Sequence, residues 1–168
     1  MSDSGVYTLT QLSREERALY NPAFTALVTC RAVQGHETQY SQSCPITVAV
    51  LAAVMALQPA VRRTLPKTFG SGLTRWLEEN KGVKVAMSQN TTALAAVVRP
   101  GLLLALQSSM LHVDAQGQLT VAPRALKKTI NGATDEVQDI QKAAYFLGRW
   151  LPSTGSLSTV MTLLGVRP

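Results

Sequence analysis

Asn21-Pro22 opens a stretch so rich in apolar residues that it belongs in a packed interior. Asn21 reads as an N-cap, its side-chain oxygen placed to accept from an amide of the first turn. Pro22 sits at the first helical position, where its missing N–H is not needed. The helix reads to about Val33, with Gly35 as its C-terminal stop. Ala23, Ala26, Leu27, Cys30 and Val33 share a face, which Phe24 and Val28 widen. Only Thr25, Thr29 and Arg31 are left for a polar side, so this is a core or interface helix.

The 168 residues of the chain fit a single domain that buries about two thirds of its unfolded surface. Charged residues make up only 15% of the chain, below the usual roughly 25%. Such a surface is expected to hide part of its apolar area in a partner. Cys30 and Cys44 have neither metal-ligand spacing nor the look of a disulfide framework, which points to a reduced, cytoplasmic protein. The first seven residues lack the basic start and apolar core of a signal peptide. The longest apolar run, Ile46 to Leu57, is shorter than the about 20 residues that cross a bilayer, so no membrane segment is expected.

Charge is unevenly distributed along the chain. Residues 38–128 carry ten basic and three acidic groups, whereas residues 1–37 carry three and four, and residues 129–168 three of each. An anionic partner, nucleic acid first, would account for this middle segment, and so would a solvated face or an acidic protein neighbour.

Ser13-Arg14-Glu15-Glu16 has capping-box spacing and starts a short helix ending near Tyr20. Gln34 to Ser43 reads as a polar loop. Pro45 to Leu57 reads as a second buried helix, with a strand as the alternative. After the basic connection Arg62, Arg63, Pro66 and Lys67, Ser71 is placed to cap a short helix over 72–80 in which Leu73, Trp76 and Leu77 share a face. Residues 86–110 read as an apolar helix that Pro100 should kink or split. The period then changes. Leu111, Val113, Leu119 and Val121 alternate with polar residues around Asp114-Ala115-Gln116-Gly117, the pattern of a β-hairpin.

Arg124, Lys127 and Lys128 follow at helical spacing. The last long helix starts near Thr134, and Val137, Ile140, Ala144, Leu147 and Leu151 form its apolar stripe. The expected fold is mainly α with a small β-hairpin, a single compact domain with a winged-helix-like order. Residues 1–12 form an N-terminal extension, 13–110 a helical part, 111–122 the hairpin, and 123–168 the C-terminal helices and tail.

Little in the chain points to catalysis. Gly70-Ser71-Gly72 lacks the lysine and hydroxyl ending of a phosphate loop and reads as a helix cap. His36 and His112 are the only histidines, and neither has a second histidine at metal-binding spacing. A Cys30/His36 nucleophile pair is conceivable on paper, but Cys30 lies on an apolar face, where a thiol is ordinarily inert. No catalytic, cofactor or metal site and no small-molecule substrate is expected. Arg124, Lys127 and Lys128, with Arg62, Arg63 and Lys67, are the candidates for nucleic-acid contact. Phe24, Trp76, Trp150, Leu164, Val166 and Arg167 are candidates for a partner interface. For the two tryptophans, core packing is the competing reading.

Several segments taken in order suggest a family. These are Asn21-Pro22-Ala23-Phe24 with its helix to Gly35, Leu65-Pro66 leading into Leu73-Thr74-Arg75-Trp76-Leu77 and Asn80, the Arg99 helix, and the ending Leu164-Gly165-Val166-Arg167-Pro168. Over residues 13–168 the chain resembles the middle component of bacterial three-component ABC-ATPase systems. That group includes the small accessory subunit of Lamassu-type anti-phage and anti-plasmid defence. The resemblance implies a non-catalytic subunit that bridges an SMC-like coiled-coil ATPase and an effector, often a nuclease, with DNA contact made through the complex. The alternatives from the residues themselves are a free-standing winged-helix DNA-binding regulator and a small hydrolase built on Cys30 and His36.

Overall fold

A computed structural model describes residues 14–167, apart from the side chains of residues 15 and 17. The expected capping serine, Ser13, and the N-terminal extension lie outside the described residues. Helices α1 (Arg14–Leu19), α2 (Pro22–Tyr40), α3 (Ile46–Leu57), α4 (Pro59–Arg62), α5 (Leu73–Glu79) and α6 (Gly82–Gln107) come first. The hairpin β1 (Leu111–Val113) and β2 (Leu119–Val121) follows. Helix α7 (Asp135–Trp150), a 3-10 turn over Leu151–Thr154 and α8 (Leu157–Leu164) complete the chain. The fold is mainly helical with one small antiparallel hairpin, as the sequence pattern predicts.

Helices α2 and α3 form a central pair, and each packs against both α6 and α7. The start of α2 is set as expected: Asn21 Oδ1 accepts from the Phe24 amide at 3.0 Å, a cap that contributes about 1 kcal/mol. Its end is not. The helix passes straight through Gly35 and closes at Ser41, which takes a left-handed conformation (φ 51°). Gly35 is needed for its missing side chain rather than for a turn, because a Cβ there would overlap the Tyr145 carbonyl of α7. Gly148 of α7 is its counterpart, since a Cβ there would overlap the Ala32 carbonyl of α2. The two backbones therefore meet with no side chain between them.

The polar residues expected to form a loop after Gln34 instead bond to neighbouring elements. Glu37 accepts from the Val121 amide of β2 at 3.2 Å, Gln39 accepts from Arg149, and Tyr40 donates to the Arg149 carbonyl. The expected polar side of α2 is also interior. Thr25, Thr29 and Arg31 are buried while Ala23 is exposed. Thr29 donates to the Thr25 carbonyl at 2.8 Å, which satisfies its hydroxyl without water.

Pro100 does not split α6, which runs unbroken over 26 residues. The proline lies on the outer side, where the carbonyl that loses its partner can turn to solvent. On the inner side, a Cβ at Gly101 would overlap Thr25 of α2. Val98 and Ala105, either side of the break, are both fully buried. Packing of both halves, Val98 into the larger apolar cluster and Ala105 into the smaller one, outweighs a proline penalty of about 3 kcal/mol.

The hairpin pairs Leu111 with Val121 and Val113 with Leu119. Its turn is closed by Asp114, whose Oδ1 accepts from the Gln116 and Gln118 amides, both at 2.9 Å, and by Gly117 at φ 76°. A lone two-stranded hairpin is marginal. Here Cys44 pairs with Leu119 through two 2.8 Å backbone hydrogen bonds, and Leu111 and Leu119 are buried. Along β2 the hairpin is thus tied to α2 at Val121 and to the α2–α3 connection at Leu119.

Adding a methyl at the α2–α7 seam is the direct test of this packing. Overpacking against backbone costs about 1–3 kcal/mol, more than the roughly 0.5–1 kcal/mol that alanine gains over glycine in a helix. Gly35→Ala and Gly148→Ala should each lower the urea midpoint. Gly82→Ala, where a Cβ meets only open space, should leave it unchanged or raise it. Equal midpoints for all three would refute the close approach.

Candidate partner-binding surface

The nucleophile pair considered for Cys30 and His36 does not form. The two residues lie on the same helix, six positions apart, which is about 9 Å along the axis. Burial pushes the Cys30 thiol up to about 12. Burial, with Glu37 adding to it, does the same to Cys44. Neither supplies a thiolate at neutral pH. His36 packs against Tyr40 with its ring centroid 4.8 Å away, and its Nδ1 lies 3.3 Å from the Gln42 carbonyl. Burial lowers its pKa. Among the described residues no three His, Cys, Asp or Glu side chains cluster where they could hold a metal ion.

The six basic candidates divide sharply. Arg62 is structural: its side chain is 7% exposed and pairs with Glu136 at 3.2 Å, and it donates to the Ala56 carbonyl at 2.9 Å. It braces the end of α3 against α7. Arg63, Lys67, Arg124, Lys127 and Lys128 are exposed. Lys67 lines an open hollow of about 650 Å³ that also contains Thr68, Ser71 and Arg75, the last already paired with Glu79 at 2.9 Å.

The helical face expected for Arg124, Lys127 and Lys128 is absent, because residues 122–134 form an irregular segment. Arg124 has a positive φ of 63°. The segment is held from below. Arg31 donates to the Lys127 carbonyl at 2.7 Å, Gln141 to that of Asn131 at 2.9 Å, and Gln138 to that of Ile130 at 3.1 Å.

Arg31 is the residue that sequence reasoning undervalues. It is 5% exposed, and all its hydrogen-bond acceptors are neutral oxygens: Gln141 Oε1 at 3.0 Å, Gln34 Oε1 at 2.9 Å and the Lys127 carbonyl. Burial lowers its pKa. The signal for it is its position, an arginine in a helix whose other side chains leave almost no solvent face. Through it the core helix positions the loop that carries Lys127 and Lys128.

Three of the six aromatic and tail candidates are interior. Trp76 and Trp150 are 3% and 0% exposed and meet edge to face at 5.4 Å. Trp76 Nε1 donates to the Thr64 carbonyl at 2.6 Å and Trp150 Nε1 to the Ser71 carbonyl at 2.7 Å. The pair thus anchors both ends of the 64–71 segment to the core. Ser71 is not the expected cap of α5, whose N-cap position is Gly72 with no side-chain bond. Leu164 is fully buried, while Phe24 and Val166 are half-buried against the same core. Arg167 is exposed. No helix among the described residues is long and apolar enough to cross a membrane.

The thiols offer a pH test. Their folded pKa lies above the ordinary 9.0, so the folded state holds these protons more tightly than the unfolded chain. Their contribution is complete below pH 9 and is lost as pH rises from about 9 towards 12. Stability should fall across that window, and less so in Cys30→Ala than in the parent. In native protein at pH 8 neither thiol should react with an alkylating reagent until denaturant is added. Prompt native labelling would contradict their burial.

A family model described as the ABC-three component (ABC-3C) system Middle Component 3 matches residues 9–168. No curated protein and no solved structure matches. With nearly its whole length matched, the chain belongs to the middle component 3 family of ABC-three-component systems.

Proposed function

We propose that the chain is a non-catalytic accessory subunit of a cytoplasmic prokaryotic defence complex, joining an SMC-like coiled-coil ABC ATPase to an effector, often a nuclease. The observation that carries the reading is the family match over residues 9–168, which makes the whole chain one component of a multi-component system. Supporting it are the inert thiols and a surface with few charges. Five exposed cations remain: Arg63, Lys67, Arg124, Lys127 and Lys128. Among the described residues none of them takes part in an ion pair. In the assembled complex they contact DNA phosphates, which need positive charge within reach and no base-reading geometry.

Co-expression with the ATPase and effector of the same system should yield a complex that co-elutes, and separate elution of this chain would end the reading. Replacing Arg124, Lys127 and Lys128 with glutamate should leave co-elution intact and weaken DNA binding by the complex. The slope of log affinity against log salt should shrink by about 0.9 for each phosphate that is no longer neutralised. An unchanged slope would assign these cations to solubility. Site-specific DNA binding by the isolated chain would favour the free-standing regulator instead.

A further inference from the structure

The two helices that flank the central pair turn very different outer faces to solvent. Helix α7 exposes Asp135, Glu136, Asp139 and Lys142, the charged face that an amphipathic surface helix normally carries. Helix α6 does not. Its 26 residues include two charged side chains, Lys84 and Arg99, and no carboxylate. The acid-free stretch extends from Asn80 to Val113. Outward it presents Val85, Ala93, Ala96, Pro100, Leu103 and Leu104, interspersed with the uncharged Gln89, Thr92 and Gln107, along one side of a helix about 39 Å long. Leu103 is 57% exposed and Val85 54%. Lys84 lies beside Gly165, so the exposed Arg167, two residues further on, follows closely.

We propose that this outer face of α6 is a docking surface for another component of the same system, and that the matching surface is apolar at its centre with carboxylates at its rim. The proposal rests on the accessory-subunit reading and names the face it uses. Charge complementarity selects the occupant. Lys84 and Arg99 have no acidic neighbour on their own helix, so a carboxylate-rimmed partner would be attracted and correctly registered by them. A second copy of this chain fits badly, because a two-fold contact would set this acid-free face against itself. A nucleic acid fits badly too, because its phosphates would meet Leu103, Leu104 and Val85 with only two cations over the length of the helix.

The test measures affinity of the purified full chain for the other components at low and high salt. Leu103→Glu should bind at least about tenfold more weakly, as expected for truncating or charging an interface anchor. The double variant Lys84→Glu/Arg99→Glu should lose affinity most strongly at low salt, where screening is least. Lys142→Glu on α7 should bind like the parent. All these side chains are exposed, so circular dichroism and unfolding midpoints should not move. If the parent chain binds no component, the accessory-subunit reading itself fails. If the parent binds and both α6 variants bind within about twofold of it, the reading stands and the α6 surface is overturned. A dimer of the isolated chain that Leu103→Glu dissolves would likewise overturn it, by giving the face to a second copy.

Discussion

The approach of α2 to α7 at Gly35 and Gly148 governs the rest of the molecule. Each glycine leaves room for a carbonyl of the opposite helix, Tyr145 in one direction and Ala32 in the other. Bringing two backbones this close draws the remaining faces of α2 inward as well. Gly101 repeats the arrangement against α6 at the other end of the helix. With neighbours on both flanks and α3 beside it, α2 has almost no side left for water. Thr25 and Thr29 are tolerated because a threonine hydroxyl can bond back to its own helix. Arg31 is tolerated because Gln141, Gln34 and the Lys127 carbonyl surround its guanidinium with oxygens.

What can be read from the sequence, and what cannot, follows from the range of each interaction. Asn21, Thr134 and Asp114 act on amides two to four residues away. The starts of α2 and α7 and the turn of the hairpin are therefore legible. Gly35 is not, because glycine answers two different needs, a left-handed turn and a missing side chain. Local sequence does not say which applies. Only the position of Tyr145, 110 residues on, decides it. Pro100 misleads for a related reason. A proline breaks a helix when the orphaned carbonyl is buried, and here the outer face receives it while Gly101 and Ala105 hold the inner one.

The basic loop shows the same limit from the side of function. Arg124, Lys127 and Lys128 do stand at helical spacing, yet Arg124 takes a left-handed backbone and carbonyls of the segment are claimed by Arg31, 96 residues away, and by Gln138 and Gln141 of the next helix. Exposure of the cations survives this change of backbone, so only Arg62 leaves the set of residues free to meet a phosphate. Glu136, a partner 74 residues away, withdraws it. The tryptophans move in the same direction, from possible anchors to core, because Thr64 and Ser71 accept their indole N–H groups.

A fold locked in this way has consequences for how an accessory subunit would work. Two helices packed through side chains can slide by exchanging rotamers. Helices in contact through backbone have less room to do so, because a shift along the seam drives a carbonyl towards a Cα and a close-packed interior resists that strain. Helix α2 is seated in this manner on both α6 and α7, and through Arg31 it also holds the 122–134 loop. A partner on the outer face of α6 and a phosphate beside Lys127 would then stand at a fixed separation, set by one rigid helix between them. Movement in the complex is then easier at its junctions with this subunit than along the α2 seams, where backbone meets backbone.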